Sequence, residues 1–341
     1  MDVLLNVLSN YQHLTGDVVY QRINQGYVAE SWLVSIGTCR YVLKQIPKTT
    51  RCERVVFIAE TQDHVSRNFH LSPGICRTTK DDLFYSDSSG YYILSEHVAG
   101  KHLSNRDLDP DTCKRVGAFL GLLHQCLQGF DSHCGSSKQF VLPRQPREKI
   151  ESLLKYHQDT TKDRLCQEAL RYKQSELKRL DQRLFRFESL PVQVIHGDFY
   201  LNNLLFDEMN DPVSVVDYDQ ACKFFRAYEL MRGMITTIFR DDVCKENKVP
   251  AAHLNAFFRG YTEVVDLSPA EVDALTDLYY WILLCDTTCF EPSGSPRFDF
   301  TQMRDFGEYR MAVLRMVGER RREIQALLLT NYSRSTDING R

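Results

Sequence analysis

Three side chains in the middle of the chain have the types and spacing to move a phosphoryl group. In Val194-Ile195-His196-Gly197-Asp198-Phe199-Tyr200-Leu201-Asn202-Asn203, an aspartate and an asparagine stand five residues apart on a loop leaving an apolar strand. Fourteen residues after Asn203 comes Val215-Val216-Asp217-Tyr218-Asp219. Phosphoryl transfer passes through a loose transition state with its charge on non-bridging oxygens, so a protein contributes metal ions, cations and alignment of the nucleophile. One carboxylate must face the acceptor hydroxyl. A second carboxylate and an amide oxygen suit magnesium, a hard cation that dehydrates reluctantly and takes few protein ligands. Asp198 is therefore expected to align and deprotonate a hydroxyl, and Asn203 and Asp217 to hold the metal.

The same chemistry needs a cation on the donor phosphates. Tyr41-Val42-Leu43-Lys44 places a lysine at the end of an early strand, where it could grip a nucleotide. Two acids in the following helix, Glu53 and Glu60, could each reach back to Lys44; Glu60 is preferred because its spacing leaves room for a connecting loop. Gln25-Gly26-Tyr27-Val28-Ala29-Glu30-Ser31, lying between two strands, could cover the nucleotide, although one glycine is a poor phosphate-loop signal. Asp219 could contact a metal through water, bind a cationic substrate, or cap the next turn.

These residues need a scaffold, and the chain supplies two textures. Asp17 to Ile23, Ser31 to Ile36 and Arg40 to Ile46 read as strands, the last two joined at Gly37-Thr38, which signals a hairpin. Arg51 to Phe69 carries apolar residues at helical spacing, and Asp82 to Tyr85 and Tyr91 to Leu94 flank a polar turn. After Gly100 the pattern is helical: around Val116 to Leu127, Arg164 to Phe187, from Arg226, Ala251 to Val265, Ala270 to Phe290 and Thr301 to Leu329. A β island interrupts it at Val192 to Ile195, Leu204 to Phe206 and Val213 to Val216, around the chemistry-bearing loops. The polar end after Tyr332 is expected to fray.

Composition narrows the partners. At 341 residues the chain has length for two domains or one large bilobal unit, and 43% hydrophobic with 26% charged residues is ordinary globular usage. With 42 Lys plus Arg against 45 Asp plus Glu, a net charge of -3 favours neither nucleic acid nor an anionic membrane, so phosphate binding must come from a local site. The 11 cysteines contain no Cys-x-x-Cys pair and fit reduced thiols in a cytoplasmic protein better than a disulfide framework or zinc site. No basic segment opens the chain as in a signal peptide, and no apolar run approaches the ~20 residues of a membrane helix.

His196-Gly197-Asp198 with Asn203, followed by Val216-Asp217-Tyr218-Asp219, resembles the aminoglycoside phosphotransferase and choline kinase superfamily, which includes sugar, homoserine and methylthioribose kinases and spore-coat kinase-like proteins. Protein kinases usually carry Arg after the histidine and Phe-Gly after the metal aspartate, and neither stands here. The resemblance covers about Val18 to Arg240 and is strongest in the second half. It implies an α+β, protein-kinase-like bilobal fold: a β-rich nucleotide-binding lobe over 1–96, a hinge over 97–102, a mainly helical catalytic and substrate lobe over 103–331, and a polar tail over 332–341. In the hinge region, the backbone around Ser95 and His97 would hydrogen-bond the adenine. Glu229, in Ala227-Tyr228-Glu229-Leu230, stands where an acid supports the catalytic loop from beneath, a place usually taken by Asp. His196 is expected to orient the loop rather than transfer protons.

The function implied is transfer of the γ-phosphate of ATP or GTP, with magnesium, to a hydroxyl of a small molecule: an aminoglycoside, sugar, amino alcohol or homoserine-like acceptor. Acids at Asp241-Asp242, Asp286, Glu291 and Asp299 would suit a cationic acceptor, and Tyr279, Tyr280 and Trp281 could stack on one or fill a core. The alternative is a noncatalytic nucleotide-binding or coat-type protein on the same fold.

Overall fold

The structure is a computed structural model that describes residues 3–12, 14, 16–23, 30–135, 146–161, 163–180, 187, 189–239, 244, 246–291 and 300–338. Most of the expected nucleotide-covering loop, Gln25 to Ser31, lies outside the described residues, as do Asp241, Asp242 and Asp299.

Alternation of apolar and polar residues builds the first lobe. Strands β1 (Val18–Ile23), β2 (Glu30–Ile36), β3 (Cys39–Pro47), β4 (Tyr85–Ser86) and β5 (Gly90–Glu96) form one antiparallel sheet in the order β1-β2-β3-β5-β4. The β2–β3 turn is the two-residue Gly37-Thr38 hairpin, with Ile36 opposite Cys39 and Gly37 at φ 58°, where a glycine adopts the left-handed conformation without penalty. Successive side chains leave opposite faces. Leu43, Tyr92 and Leu94 meet Val7 and Leu8 of helix α1 (Val3–Leu8) on one face. Ile46, Tyr91 and Ile93 meet Val55, Ile58 and Val65 of helix α2 (Cys52–Phe69) on the other. Lys44, two residues before Ile46, therefore lies on the α2 face. The strand expected over Asp82 to Tyr85 shrinks to Tyr85–Ser86 because Thr78 and Asp82 fold the chain into a local turn, through Thr78 N–H to Asp82 O (2.9 Å) and Asp82 N–H to Thr78 Oγ1 (3.0 Å).

The second lobe is mainly helical: α3 (Pro110–Leu127), α4 (Pro146–Tyr156), α5 (Arg164–Arg179), α6 (Arg226–Ile238), α7 (Ala251–Thr262), α8 (Pro269–Cys285) and α9 (Phe300–Ile338). Helix α4, buried along Ile150, Leu153 and Leu154, has no counterpart in the sequence reading. Between α5 and α6 lie β6 (Val192–Ile195), β7 (Leu204–Phe206), β8 (Pro212–Val215) and β9 (Cys222–Phe225), paired antiparallel as β6 with β9 and β7 with β8. Helix α9 continues to Ile338, where fraying after Tyr332 was expected. Tyr332 itself docks by donating from its hydroxyl to Leu267 O (2.9 Å), and Asn331 donates to Asn255 Oδ1 (2.7 Å).

One core runs through both lobes: Ile46, Val55 and Ile93 belong to the same continuous apolar cluster as Leu120, Phe199 and Leu230. All 11 cysteines are free, and among the described residues no helix is long and apolar enough to cross a membrane.

Candidate active site

Two loops leave the β island, and backbone chemistry knits them together. The first follows β6 and holds His196 to Asn203; the second follows β8 and holds Asp217 to Gln220. Val216 N–H donates to Asn203 O (2.9 Å), and His196 Nε2 lies 3.0 Å from Val216 O while its Nδ1 lies 3.3 Å from Asp198 N–H. These two contacts put the ring proton on Nε2, where it donates to the carbonyl, and leave Nδ1 to accept. His196 thus holds loops rather than protons. Gly197 sits at φ 78°, and a Cβ there would lie 2.2 Å from Gln220 O, so glycine is the residue that lets the two loops touch.

A buried acid supports the first loop from below. Glu229 of α6, fully buried, accepts from His196 N–H (2.9 Å) and Gly197 N–H, and lies 3.0 Å from His124 Nε2 of α3. Tyr261 of α7 completes the chain, its hydroxyl 2.8 Å from His124 Nδ1. Burial would raise the Glu229 pKa, but the His124 hydrogen bond and charge, with His196, outweigh it and hold the carboxyl below its ordinary value. The glutamate thus supports the loop backbone, as the resemblance implies for an acid at this place, and three helices take part. His124 and Tyr261 are absent from the sequence reading; their partners lie more than a hundred residues apart, as in the 105-residue separation of His124 and Glu229.

Asp198 is held at both ends. Asn203 Nδ2 donates to Asp198 O (2.9 Å) and Oδ2 (3.1 Å), and Arg232 Nη2 of α6 donates to Asp198 Oδ1 (2.5 Å). Arg232 also reaches Phe199 O (3.3 Å). Burial would weaken the Arg232 cation, yet Asp198 and the neighbouring tyrosines outweigh it and raise the guanidinium pKa. With its nitrogen turned to Asp198, Asn203 keeps its amide oxygen for another partner.

Lys44 crosses from the sheet to the second loop. Its Nζ lies 2.7 Å from Asp217 Oδ1 and 2.8 Å from Asp219 Oδ1. Burial favours the neutral amine, but Asp219 and then Asp217 overcome it and raise the lysine pKa. Burial likewise pushes the Asp217 carboxyl up, and the Lys44 charge and hydrogen bond more than reverse this, leaving it below the ordinary carboxylate value. Asp217 adopts φ 68°, ψ 72°, a left-handed conformation costly for a non-glycine residue and concentrated at functional sites. Among the described residues no three His, Cys, Asp or Glu side chains are placed to hold a metal by themselves. Two oxygen donors, Asn203 and Asp217, fit magnesium nonetheless, because that ion draws its remaining ligands from water and phosphate.

The structure does not bring Glu60 to Lys44. Glu60 instead accepts from Ser132 Oγ (2.5 Å) and His133 N–H (3.1 Å), and lies 3.0 Å from His133 Nδ1, beyond the end of α3. Residues advance about 100° each along a helix, so with Val55, Ile58 and Val65 packed inward Glu60 falls on the flank facing the second lobe. Glu53 is exposed in the first turn of α2. The helix sends Arg54 toward the site: Nη1 donates to Ala221 O (2.5 Å) and Nη2 to Asp219 O (2.6 Å). Where the hinge is expected, His97 N–H already donates to Arg40 O (3.0 Å), so that donor is not open to a base. Ser95 is buried, pairs with Val42 and Ile75, and accepts from Gln62 Nε2 at its hydroxyl (2.9 Å).

Tyr279, Tyr280 and Trp281 are buried in the core of α8, which settles their packing role. Asp286 pairs with Arg310 (2.5 Å) and Glu291 with Lys149 (2.5 Å), so neither stands as an open acid.

Known proteins share this architecture. A homoserine kinase of Sinorhizobium medicae (strain WSM419) is 24% identical over 276 residues, spanning 80% of this chain and 78% of the relative. Among solved structures, the amicoumacin kinase hAmiN in complex with AMP-PNP, Ca2+ and Ami superposes with a TM-score of 0.65 at 11% identity, covering 92% of this chain and 94% of that one. The microcompartment-associated aminopropanol kinase superposes with a TM-score of 0.64 at 15% identity, covering 95% and 98%. At these identities the superpositions establish the kinase-like bilobal fold. The profile of the phosphotransferase enzyme family matches residues 19–267, nearly three quarters of the length and every residue of the two knitted loops, and the chain belongs to that family of phosphotransferases.

Proposed function

We propose that this phosphotransferase moves the γ-phosphoryl group of ATP to the hydroxyl of a compact amino alcohol or hydroxy amino acid. The observation that carries the reading is the joining of the two loops, with Asp198 fixed on one and Asp217, met by Lys44, on the other. Asp198 orients the acceptor hydroxyl and takes its proton as the oxygen attacks; Arg232 and Asn203 keep the carboxylate aimed. Lys44 would hold the donor phosphates, and Asn203 and Asp217 would hold magnesium. When bound, the ion neutralises charge on the phosphate oxygens. ATP is preferred over GTP on the analogy of the solved relative with AMP-PNP.

Support for a compact acceptor comes from charge. A polycationic sugar needs unpaired acids, and of the acids expected to meet one, the two among the described residues, Asp286 and Glu291, are already paired with Arg310 and Lys149. The homoserine kinase and aminopropanol kinase to which the chain is similar are named for small acceptors of this kind.

The test is a phosphorylation screen with Mg-ATP and Mg-GTP against homoserine, aminopropanol, choline and aminoglycosides, run on the wild type and on Asp198→Asn. Transfer to a compact acceptor is expected, with the variant losing roughly a thousandfold or more in kcat while binding nucleotide normally. Wild-type turnover in the variant would remove Asp198 from its role, and nucleotide binding without transfer to any acceptor would favour a noncatalytic protein on this fold.

A further inference from the structure

Lys44 is anchored in an unexpected way. Its expected glutamate is engaged elsewhere, with Glu60 bound by Ser132 and His133. Both carboxylates that meet its ammonium come from the loop after β8. They are not equivalent. Asp217 keeps 45% of its side chain exposed and is open to an incoming ion, whereas Asp219 keeps 14% and faces Lys44 from a more enclosed position. Behind Asp219 stands Arg54 of α2, whose guanidinium grips the carbonyls of Asp219 and Ala221 and so fixes the turn that carries the second carboxylate.

Resting on the function proposed above, we propose that an Arg54–Asp219–Lys44 relay replaces the helix-glutamate-to-lysine pair, with Asp219 as the positioning residue that keeps Lys44 on the donor phosphates while Asp217 serves the metal. The polarity of the arrangement is inverted. The helix contributes a cation to the loop, and the loop contributes the anion to the lysine, so α2 still reports its position to Lys44 through one additional residue. The division of labour follows from coordination chemistry: a carboxylate that binds magnesium can no longer neutralise an ammonium fully, and an ammonium without a partner loses its fixed direction. Of the two cations only Lys44 meets the carboxylates of Asp217 and Asp219; Arg54 holds the turn through its backbone carbonyls.

The experiment is calorimetric titration of ATP into the full chain, with and without magnesium, for the wild type, Asp219→Asn, Arg54→Met, Glu60→Gln and the double variant Lys44→Met/Asp219→Asn compared with Lys44→Met. Magnesium dependence of turnover is measured alongside, and melting curves confirm folding. Asp219→Asn and Arg54→Met are expected to weaken ATP binding about tenfold both with and without the ion, leaving the magnesium requirement unchanged. Glu60→Gln is expected to stay within about twofold of the wild type. Once Lys44 is gone, Asp219→Asn should cost nothing further, and this comparison stands even if one single variant folds poorly. The relay is overturned if Asp219→Asn raises only the magnesium requirement, which would make Asp219 a metal ligand, or if Glu60→Gln weakens ATP and Asp219→Asn does not. A wild type that binds no nucleotide would overturn both the relay and the function beneath it; normal wild-type binding with an indifferent Asp219→Asn would overturn the relay alone.

Discussion

Asp198, proposed to meet the acceptor hydroxyl, illustrates how a side chain is aimed by its neighbours. A lone carboxylate samples many orientations; here Arg232 grips one oxygen and Asn203 the other, so the group is aimed before any substrate arrives. Arg232→Met should therefore lower kcat about a hundredfold with little change in ATP affinity, because misaligning a reacting group by about an ångström carries a penalty of that size. Steady-state kinetics paired with nucleotide calorimetry checks the split; an equal loss in both would mean that Arg232 shapes the nucleotide site. The two short loops that carry Asp198, Asn203 and Asp217 were legible as candidates because spacing along a loop is local information, and the structure joins those loops. Arg54, Arg232 and His124 were not, since their partners lie 165, 34 and 105 residues away and only the packed helices bring them near. Glu60 was misread for a related reason: its position along α2 is visible in the sequence, but the rotation of the helix is set by which face the sheet buries.

Elements were legible where their periodicity was strong. The hairpin at Gly37-Thr38, α2 and the strands of the β island stand where alternation and helical spacing place them. What periodicity cannot show is which helix meets which. Helices α3 and α7 cross so closely that a Cβ on Gly117 would lie 2.0 Å from Phe257 O and one on Gly260 1.9 Å from Lys114 O. The approach has a use at the site, because α3 carries His124 and α7 carries Tyr261, and backbone contact lets those two side chains meet beneath Glu229. Gly117→Ala must push the helices apart and should destabilise the fold by about 2 kcal/mol, within the usual range for overpacking. A melting temperature lowered by several degrees, with activity at room temperature reduced as the support under the loop of His196 to Asn203 loosens, is the expected reading. An unchanged melting point would show that the crossing has slack.

At the scale of the whole molecule the two lobes are tied at more places than a hinge requires. Helix α2 fastens to the second lobe at Arg54, at Glu60 and at His64, whose Nε2 lies 2.9 Å from Cys126 O, while Lys44 reaches across from the sheet. The backbones of Lys101 and Phe206 add a further bridge. Sequence texture divides the chain near residue 100, and its β-rich and helical halves are real. The continuity of the core through α2 was hidden from it, because both halves supply ordinary apolar faces. This continuity makes a prediction about cooperativity. The chain has two tryptophans, Trp32 in the apolar cluster on the α1 face of the sheet and Trp281 in the helical lobe, both nearly buried. Strands β3 and β5 carry both clusters, one on each face, so the Trp32 surroundings cannot open without loosening the wall against which α2 and the larger core pack. Trp32→Phe and Trp281→Phe each leave one reporter, and fluorescence melts of the two variants, each corrected for its shift in circular-dichroism midpoint, should coincide as in a single transition. Nucleotide with magnesium, proposed to bind between Lys44 of one lobe and Asp217 of the other, should raise both midpoints together. If Trp32 reported an earlier transition that nucleotide did not delay, the lobes would be independent units and the ties through α2 would be too weak to couple them.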